Sequence, residues 1–306
     1  MRQVELVATG QRRPLPRDIV GLNAPVAYAV PHEDPRLVDA ARFLRPGHLR
    51  FPGGSVANFY NWRTGQFEVP EVEGGSMYRS YMRGAIARMR PYHPHGCRTD
   101  AFATIAGDAG AELLWVANLE TSTPEEQAAW AASMRSSGIL PRRIELGNEF
   151  YLALLNDPVS KARFPDWATT IGVMREYVNA MSASLDGTER IAVQAAASRW
   201  RADRDTGQGL HGQAWQWDDD MEPDEWFHAV TVHPYPEIDH VCGPGTSASL
   251  PGATASVVPA LLARADDGCR RLLDHTAERM PGKQIWVTEW GPGEIGALLQ
   301  GRAPTF

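Results

Sequence analysis

Arg143-Ile144-Glu145-Leu146-Gly147-Asn148-Glu149-Phe150 is the stretch on which the fold turns. It reads as a short strand that ends in a carboxylate with an amide beside it. A second stretch answers it far downstream, Gln284-Ile285-Trp286-Val287-Thr288-Glu289-Trp290-Gly291, again a short apolar run closing on a glutamate. Parallel strands of one barrel open their C-terminal ends on a single face. Glu149 and Glu289 then point into one pocket, and two such carboxylates are the minimal equipment for cleaving a glycosidic bond.

Working outward, apolar runs recur on both sides of this pair. Residues 19–23, 48–51 and 113–119 precede it, and residues 191–197 and 229–232 lie between its two members. With the two opening stretches they make seven candidate strands. Helical patterns alternate with them. One begins at Pro35, with Leu37, Val38, Ala41 and Leu44 at helical spacing and Pro46-Gly47 as a stop. Another spans 99–109. A third opens at Thr123-Pro124-Glu125-Glu126, an N-cap followed by proline and acids in the first turn, and stops at Gly138. Residues 166–185, with Asp166 as cap, and about 257–280 give two more. The segment from about 55 to 98 is too long for an ordinary connection and should hold local structure or a wall of the site. Strand–helix alternation with continuously apolar strands predicts a parallel α/β architecture buried on both faces. An eight-stranded barrel needs one more strand and helix after Glu289, and residues 291–306 read as a loop. The lone strand at residues 3–8 has no evident partner. The sequence therefore predicts a (β/α)8 barrel, incomplete at its C-terminus.

Composition narrows the function classes. The chain has 306 residues, 43% hydrophobic and 22% charged, with a net charge of −7, which disfavours a nucleic-acid or anionic-membrane surface. No apolar run approaches the roughly 18 residues that span a bilayer. No apolar signal core precedes a small-residue cleavage site, so the expectation is a cytoplasmic protein as given, or a secreted one if its N-terminus lies further upstream. Cys97, Cys242 and Cys269 are widely spaced and read as reduced thiols. Ten Trp are divided between core packing and sugar-stacking platforms, the latter reading suiting Trp62, Trp226 and Trp290 near strand ends.

Several residues join the carboxylates as site candidates. Glu149 must hold a proton near neutral pH to protonate a leaving oxygen, which partial burial or a neighbouring carboxylate would favour. Glu289 would stay ionised and attack the anomeric carbon. Asn148 can donate its amide to a sugar hydroxyl beside that carbon. Arg50, a charge inside the apolar strand of LRFPGG, needs an anion if buried, either Glu289 or a structural partner elsewhere. Gly53-Gly54 suits a tight turn at positive φ. Asn118 either lines the pocket or caps the turn into the next helix. His233 and Tyr235 flank Pro234 just after a strand, either packed at the turn or placed around the nucleophile, where a Tyr hydroxyl keeps it ionised. The alternative for both glutamates is a solvated strand end.

LRFPGG, LWVANL, ELGNE, TVHPY and WVTEWG, in that order, resemble clan A glycoside hydrolases, the retaining (β/α)8-barrel enzymes. RFPGG with the following Tyr60-Asn61-Trp62 is similar to the family 51 α-L-arabinofuranosidases, and the LGNE context to the family 79 heparanase and β-glucuronidase group. The resemblance covers about 18 to 291. It implies Asn148-Glu149 as the acid/base pair on strand four, Glu289 as the nucleophile on strand seven, and Arg50, His233 and Tyr235 around the nucleophile. Trp290 and Asn118 complete the expected substrate contacts. It implies a carbohydrate substrate, no cofactor and no metal. It also implies an accessory β-sandwich, to which residues 1–17 contribute an orphan strand and linker, leaving 18–306 as a truncated catalytic barrel. Phe150-Tyr151 after Glu149 departs from the family 51 pattern and leaves the sugar open.

Two other readings remain. A metal-dependent hydrolase would draw on His93, His95, His228 and His233, but His93-Pro94-His95 follows a basic helical stretch, which favours a loop with exposed histidines. A non-catalytic carbohydrate-binding or scaffold protein could keep the same barrel. The acidic run Asp218-Asp219-Asp220 with Glu222, Asp224 and Glu225 lacks the spaced ligands of a calcium loop and reads as a solvated loop entering a short helix.

Overall fold

The computed structural model describes residues 21–23, 34–73, 75–91, 93–150, 157–194, 220–234, 269–270 and 272–290. The expectations for residues 3–8, for the loop at 243–256, for the acidic residues Asp218 and Asp219, for Tyr235 and for the segment after Trp290 lie outside them.

Seven strands form one all-parallel sheet in the order β1 (Gly21–Asn23), β2 (His48–Phe51), β5 (Glu112–Ala117), β6 (Arg143–Leu146), β7 (Arg190–Gln194), β8 (Ala229–Val232) and β9 (Gln284–Val287). Each strand pairs with its neighbour in sequence order, as successive β/α units require. The seven predicted strands are all present. A small antiparallel hairpin, β3 (Tyr60–Asn61) and β4 (Gln66–Phe67), fills part of the long 55–98 segment.

The sheet is curled. Arg50 on β2 reaches Glu289 beyond β9 at 2.5 Å, although the two strands are five ladder steps apart, about 24 Å in a flat sheet. At the outer strands, Asn23 Nδ2 lies 3.4 Å from the Thr288 carbonyl. Among the described residues the result is a curled seven-stranded arc, in keeping with the (β/α)8-type barrel that the sequence predicts.

Period-two alternation sorts each strand's side chains. Leu49, Phe51, Trp115, Ile144, Leu146, Val193 and Val230 face outward into the main core against the helices. Leu114, Val116, Ala192, Ala229 and Trp286 face inward and form a separate apolar floor with Ala57. Arg50 and Glu145 occupy the same inward phase, so alternation delivers two charges to the barrel interior.

The helices are α1 (Pro35–Leu44), α2 (Met77–Met89), α3 (Thr99–Ala109), α4 (Pro124–Ser136), α5 (Pro158–Arg163) and α6 (Trp167–Met181), with a further helix at 272–279. Thr123 caps α4 by accepting from Glu126 N, and Asp166 caps α6 by accepting from Thr169 N, as expected. Among the described residues no helix is long and apolar enough to cross a membrane.

Three local expectations need correction. The residues after Asp220 form a turn and extended chain, with no short helix, and Asp224 pairs with Arg175. Of the Gly53-Gly54 pair, only Gly54 has positive φ, at 73°. Gly53 is needed for close approach instead, since a Cβ there would lie 2.6 Å from Asn23 Oδ1. His95 is exposed as predicted, but His93 is buried, because the chain folds back between β4 and α2 and carries the ring into the core.

Candidate active site

Glu149 stands three residues past the end of β6, and the backbone between is unusual. Gly147 has φ of 80° and Glu149 has φ of 48°. A Cβ on Gly147 would fall 1.8 Å from Phe150 Cζ, so the Phe150 ring packs where a side chain would be. The left-handed conformation of Glu149 is costly for a residue with a Cβ and is held by its surroundings. Asn58 grips the neighbouring peptide from both sides. Its Nδ2 donates to the Asn148 carbonyl at 2.5 Å and its Oδ1 accepts from Asn148 N at 3.0 Å. Glu149 N donates to Gln194 Oε1 at the end of β7, 3.3 Å away.

Arg50 joins the two halves of the site. Its guanidinium donates to Glu145 at 2.6 Å, Glu289 at 2.5 Å, Asn148 Oδ1 at 2.7 Å and Asn23 Oδ1 at 3.0 Å. Burial works against its charge, but the Glu145 and Glu289 carboxylates outweigh it and push its pKa further up. Burial likewise opposes ionisation of Glu145, and Arg50 and His233 reverse that, holding its carboxyl down at about 2.

His233, just past β8, completes the cluster. Nδ1 lies 3.0 Å from Glu149 Oε1, and Nε2 lies 2.9 Å from Thr288 Oγ1, which donates to Glu145 Oε1 at 3.1 Å. Burial disfavours the imidazolium, but the Glu289 charge and the hydrogen bonds to Glu145 and Glu149 raise its pKa to about 10. Oxygens of Glu149 and Glu289 and a ring nitrogen of His233 all lie within 4.8 Å of one another. These donor types could hold a metal ion. Here they are committed to protein partners, with the Arg50 guanidinium on Glu289 and His233 on Glu149.

The structure therefore brings together Glu149, Glu289, Asn148, Arg50 and His233. Trp290, 76% exposed, borders with Glu289 a cavity of about 700 Å³ that opens between β1 and β9. Asn118 belongs to the alternative stated for it. Its Oδ1 accepts from Glu120 N and Thr121 N, and its Nδ2 donates to the Tyr60 carbonyl and Thr121 Oγ1, so the turn uses both ends of its side chain. His228 accepts from Ile191 N, a structural role. The sequence reading passes over Glu145, Thr288 and Asn58. A charge between Ile144 and Leu146 was a usable signal for Glu145, the same one that singles out Arg50.

No protein-family model and no curated protein sequence matches the chain. Its fold does match solved structures. One is the GH51 arabinofuranosidase from Xanthomonas axonopodis pv. citri, at 16% identity and TM-score 0.53, with 90% of this chain and 57% of that one covered. A second is AbfB, a family 51 α-L-arabinofuranosidase from Bifidobacterium longum, at 12% identity and TM-score 0.55, covering 89% and 55%. A third is CelM2, a bifunctional glucanase-xylanase from a metagenome library, at 14% identity and TM-score 0.52, covering 92% and 69%. The chain spans a little over half the length of the two arabinofuranosidases. At these identities the likeness is one of fold.

Proposed function

We propose that this chain is a retaining glycoside hydrolase in which Glu149 is the acid/base and Glu289 the nucleophile. The observation that carries the reading is the spacing of the two carboxylates, whose nearest oxygens lie within 4.8 Å at the strand ends of a curled barrel. Retaining enzymes hold their carboxyl groups about 5–5.5 Å apart, and inverting ones leave about 6.5–9.5 Å for a water. The short spacing favours double displacement.

In the first step Glu149 gives its proton to the glycosidic oxygen while Glu289 attacks the anomeric carbon and forms a glycosyl-enzyme. The carboxylate left on Glu149 is met by the His233 ring at 3.0 Å, which favours its charge. In the second step Glu149 takes a proton from water, and the hydroxide oxygen replaces Glu289 on the sugar. Arg50 holds Glu289 Oε1 at 2.5 Å and so orients the carboxylate for attack. Exposed Trp290 beside Glu289 offers an aromatic face to a sugar unit of a plant or glycosaminoglycan-type chain. The arabinofuranosidases among the similar folds make an arabinofuranoside the first sugar to try.

The test is hydrolysis of aryl and alkyl arabinofuranosides, glucuronides, glucosides, xylosides and galactosides, with Glu289→Ala as control. Turnover of one sugar that disappears in Glu289→Ala is the expected result. Glu149→Ala should lose about 10²–10⁴-fold on an alkyl glycoside and much less on a p-nitrophenyl glycoside, whose leaving group needs little protonation. A folded Glu289→Ala protein with near-normal turnover would sink the assignment.

A further inference from the structure

Glu145 lies beneath the pair of strand-end glutamates, fully buried, on the inward face of β6. It does not face the cleft, and no step of the reaction above uses it. Its oxygens are nonetheless placed one each on the two cations of the site. Oε2 accepts from Arg50 Nε at 2.6 Å, and Oε1 accepts from Thr288 Oγ1 at 3.1 Å while standing 3.7 Å from His233 Nε2.

The Thr288 hydroxyl has a single proton, and an ionised Glu145 can only accept. Thr288 must therefore give that proton to Glu145 and accept from His233 Nε2. This fixes Nε2 as protonated. Nδ1 then either donates to the Glu149 carboxylate, as an imidazolium, or accepts from the Glu149 carboxylic acid. The state of the Glu149 proton is thus tied to the charge at Glu145, through three successive hydrogen bonds.

Charge counting gives the same direction. Among the described residues the charged groups facing Glu145 are Arg50 from β2 and His233 after β8. Behind them stand Glu149 at the end of its own strand and Glu289 after β9. With Glu145 and Glu289 ionised and Arg50 charged, the cluster carries one net negative charge while a single proton is shared between His233 Nδ1 and Glu149. Without the Glu145 charge the same cluster would be neutral, and the shared proton would be released at lower pH.

We propose that Glu145 is a positioning residue that holds Arg50 and His233 in place, with Nε2 protonated, and thereby keeps a proton between His233 Nδ1 and Glu149. This rests on the hydrolase reading for its catalytic consequence, but the link from Glu145 to His233 can be read without turnover.

The experiment is an NMR titration of the His233 ring in the unsubstituted chain, Glu145→Gln, Glu145→Asp and Thr288→Val, alongside the pH profile of kcat/KM. In Glu145→Gln the ring should lose its proton at least about one pH unit lower, and the alkaline limb of the profile should move the same way. Glu145→Asp should recover part of both shifts, and Thr288→Val should show a smaller shift of the same sign. A merely structural role would lower kcat and leave both titrations in place. An unchanged ring titration in a cooperatively melting Glu145→Gln overturns the proposal. If that variant does not melt cooperatively, an unchanged titration in Thr288→Val overturns it. An unsubstituted chain with no turnover on any glycoside would overturn the hydrolase reading alone, and the ring titration would still decide this one.

Discussion

Arg50 is the residue on which the site's other charges depend. Its guanidinium is buried and meets two carboxylates and two amide oxygens. Truncating it leaves Glu145 and Glu289 together without their cation, and breaking a buried pair from one side costs about 3–5 kcal/mol. Arg50→Ala should lose that much in urea unfolding, and a loss under about 1 kcal/mol would mean the pair is solvated in solution. A second buried carboxyl behaves in the opposite sense. Glu120 follows β5, away from the Arg50 cluster, where burial raises its carboxyl to about 7 against the pull of the Ser160 hydroxyl and the Arg79 charge. The folded chain therefore binds an extra proton between the ordinary value of 4.5 and about 7. The stability from Glu120 is complete below that window and is lost as pH rises through it, on the order of 3 kcal/mol. Glu120→Gln keeps the acceptor for Ser160 and cannot ionise. Its Tm should stay nearly flat across that pH range where the parent's declines. An equal decline in both would place the responsible proton elsewhere.

At the scale of the element, the turn after β6 decides whether Glu149 is aimed. The turn is held from outside, by Asn58 on the Asn148 peptide and Gln194 on the Glu149 N–H. Asn58→Ala leaves a buried donor and acceptor unmet, at about 1–3 kcal/mol each. It should also lower kcat more than it changes KM, because a strained Glu149 freed from its clamp relaxes away from the reacting bond. Proportional changes in both constants would show that the clamp serves the fold alone. The strands themselves were legible because both of their faces are covered, which makes each a short continuous apolar run, and the caps were legible because Thr123 and Asp166 act on residues three positions away. Arg50 was legible as a charge in such a run. Glu145 carries the same mark, but its partners come from β2, β8 and β9, and only the curl and register of the whole sheet bring them together. Asn58 was hidden for a similar reason: nothing local to Ser55–Phe59 says that this 3-10 turn reaches β6. His93 was misjudged because burial of one histidine in His93-Pro94-His95 depends on how the chain folds back on the core.

At the scale of the molecule, the arc is flanked by unequal neighbours. Among the described residues β1 pairs with β2 alone and β9 with β8 alone, while β5, β6 and β7 are paired on both sides. What links the two outer strands is a side-chain contact, Asn23 to the Thr288 carbonyl, above a cavity of about 700 Å³. Burial follows the same gradient. The residues of β8 are all buried, whereas in β9 Gln284 and Val287 are exposed and only Trp286 is buried. Local opening needs less free energy where fewer apolar contacts and ladder bonds are broken. Amide hydrogen exchange should therefore be slowest at Val116, Ile144 and Val193, and faster by about 10²-fold or more at Leu22, Ile285 and Val287. Protection of β1 and β9 equal to that of β6 would mean that further backbone covers these strands and that the arc is closed in solution. The functional consequence is specific to β9, which carries Glu289 two residues past its end. On the proposed hydrolase reading, a sugar seated against Glu289 and Trp290 would tie this strand to Arg50 and so to the protected centre of the sheet. Saturating a turnover-blocked Glu149→Gln chain with the sugar it recognises should slow exchange at Ile285 and Val287 and leave Ile144 unchanged. Uniform slowing of all strands would instead report global stabilisation by a ligand that binds elsewhere.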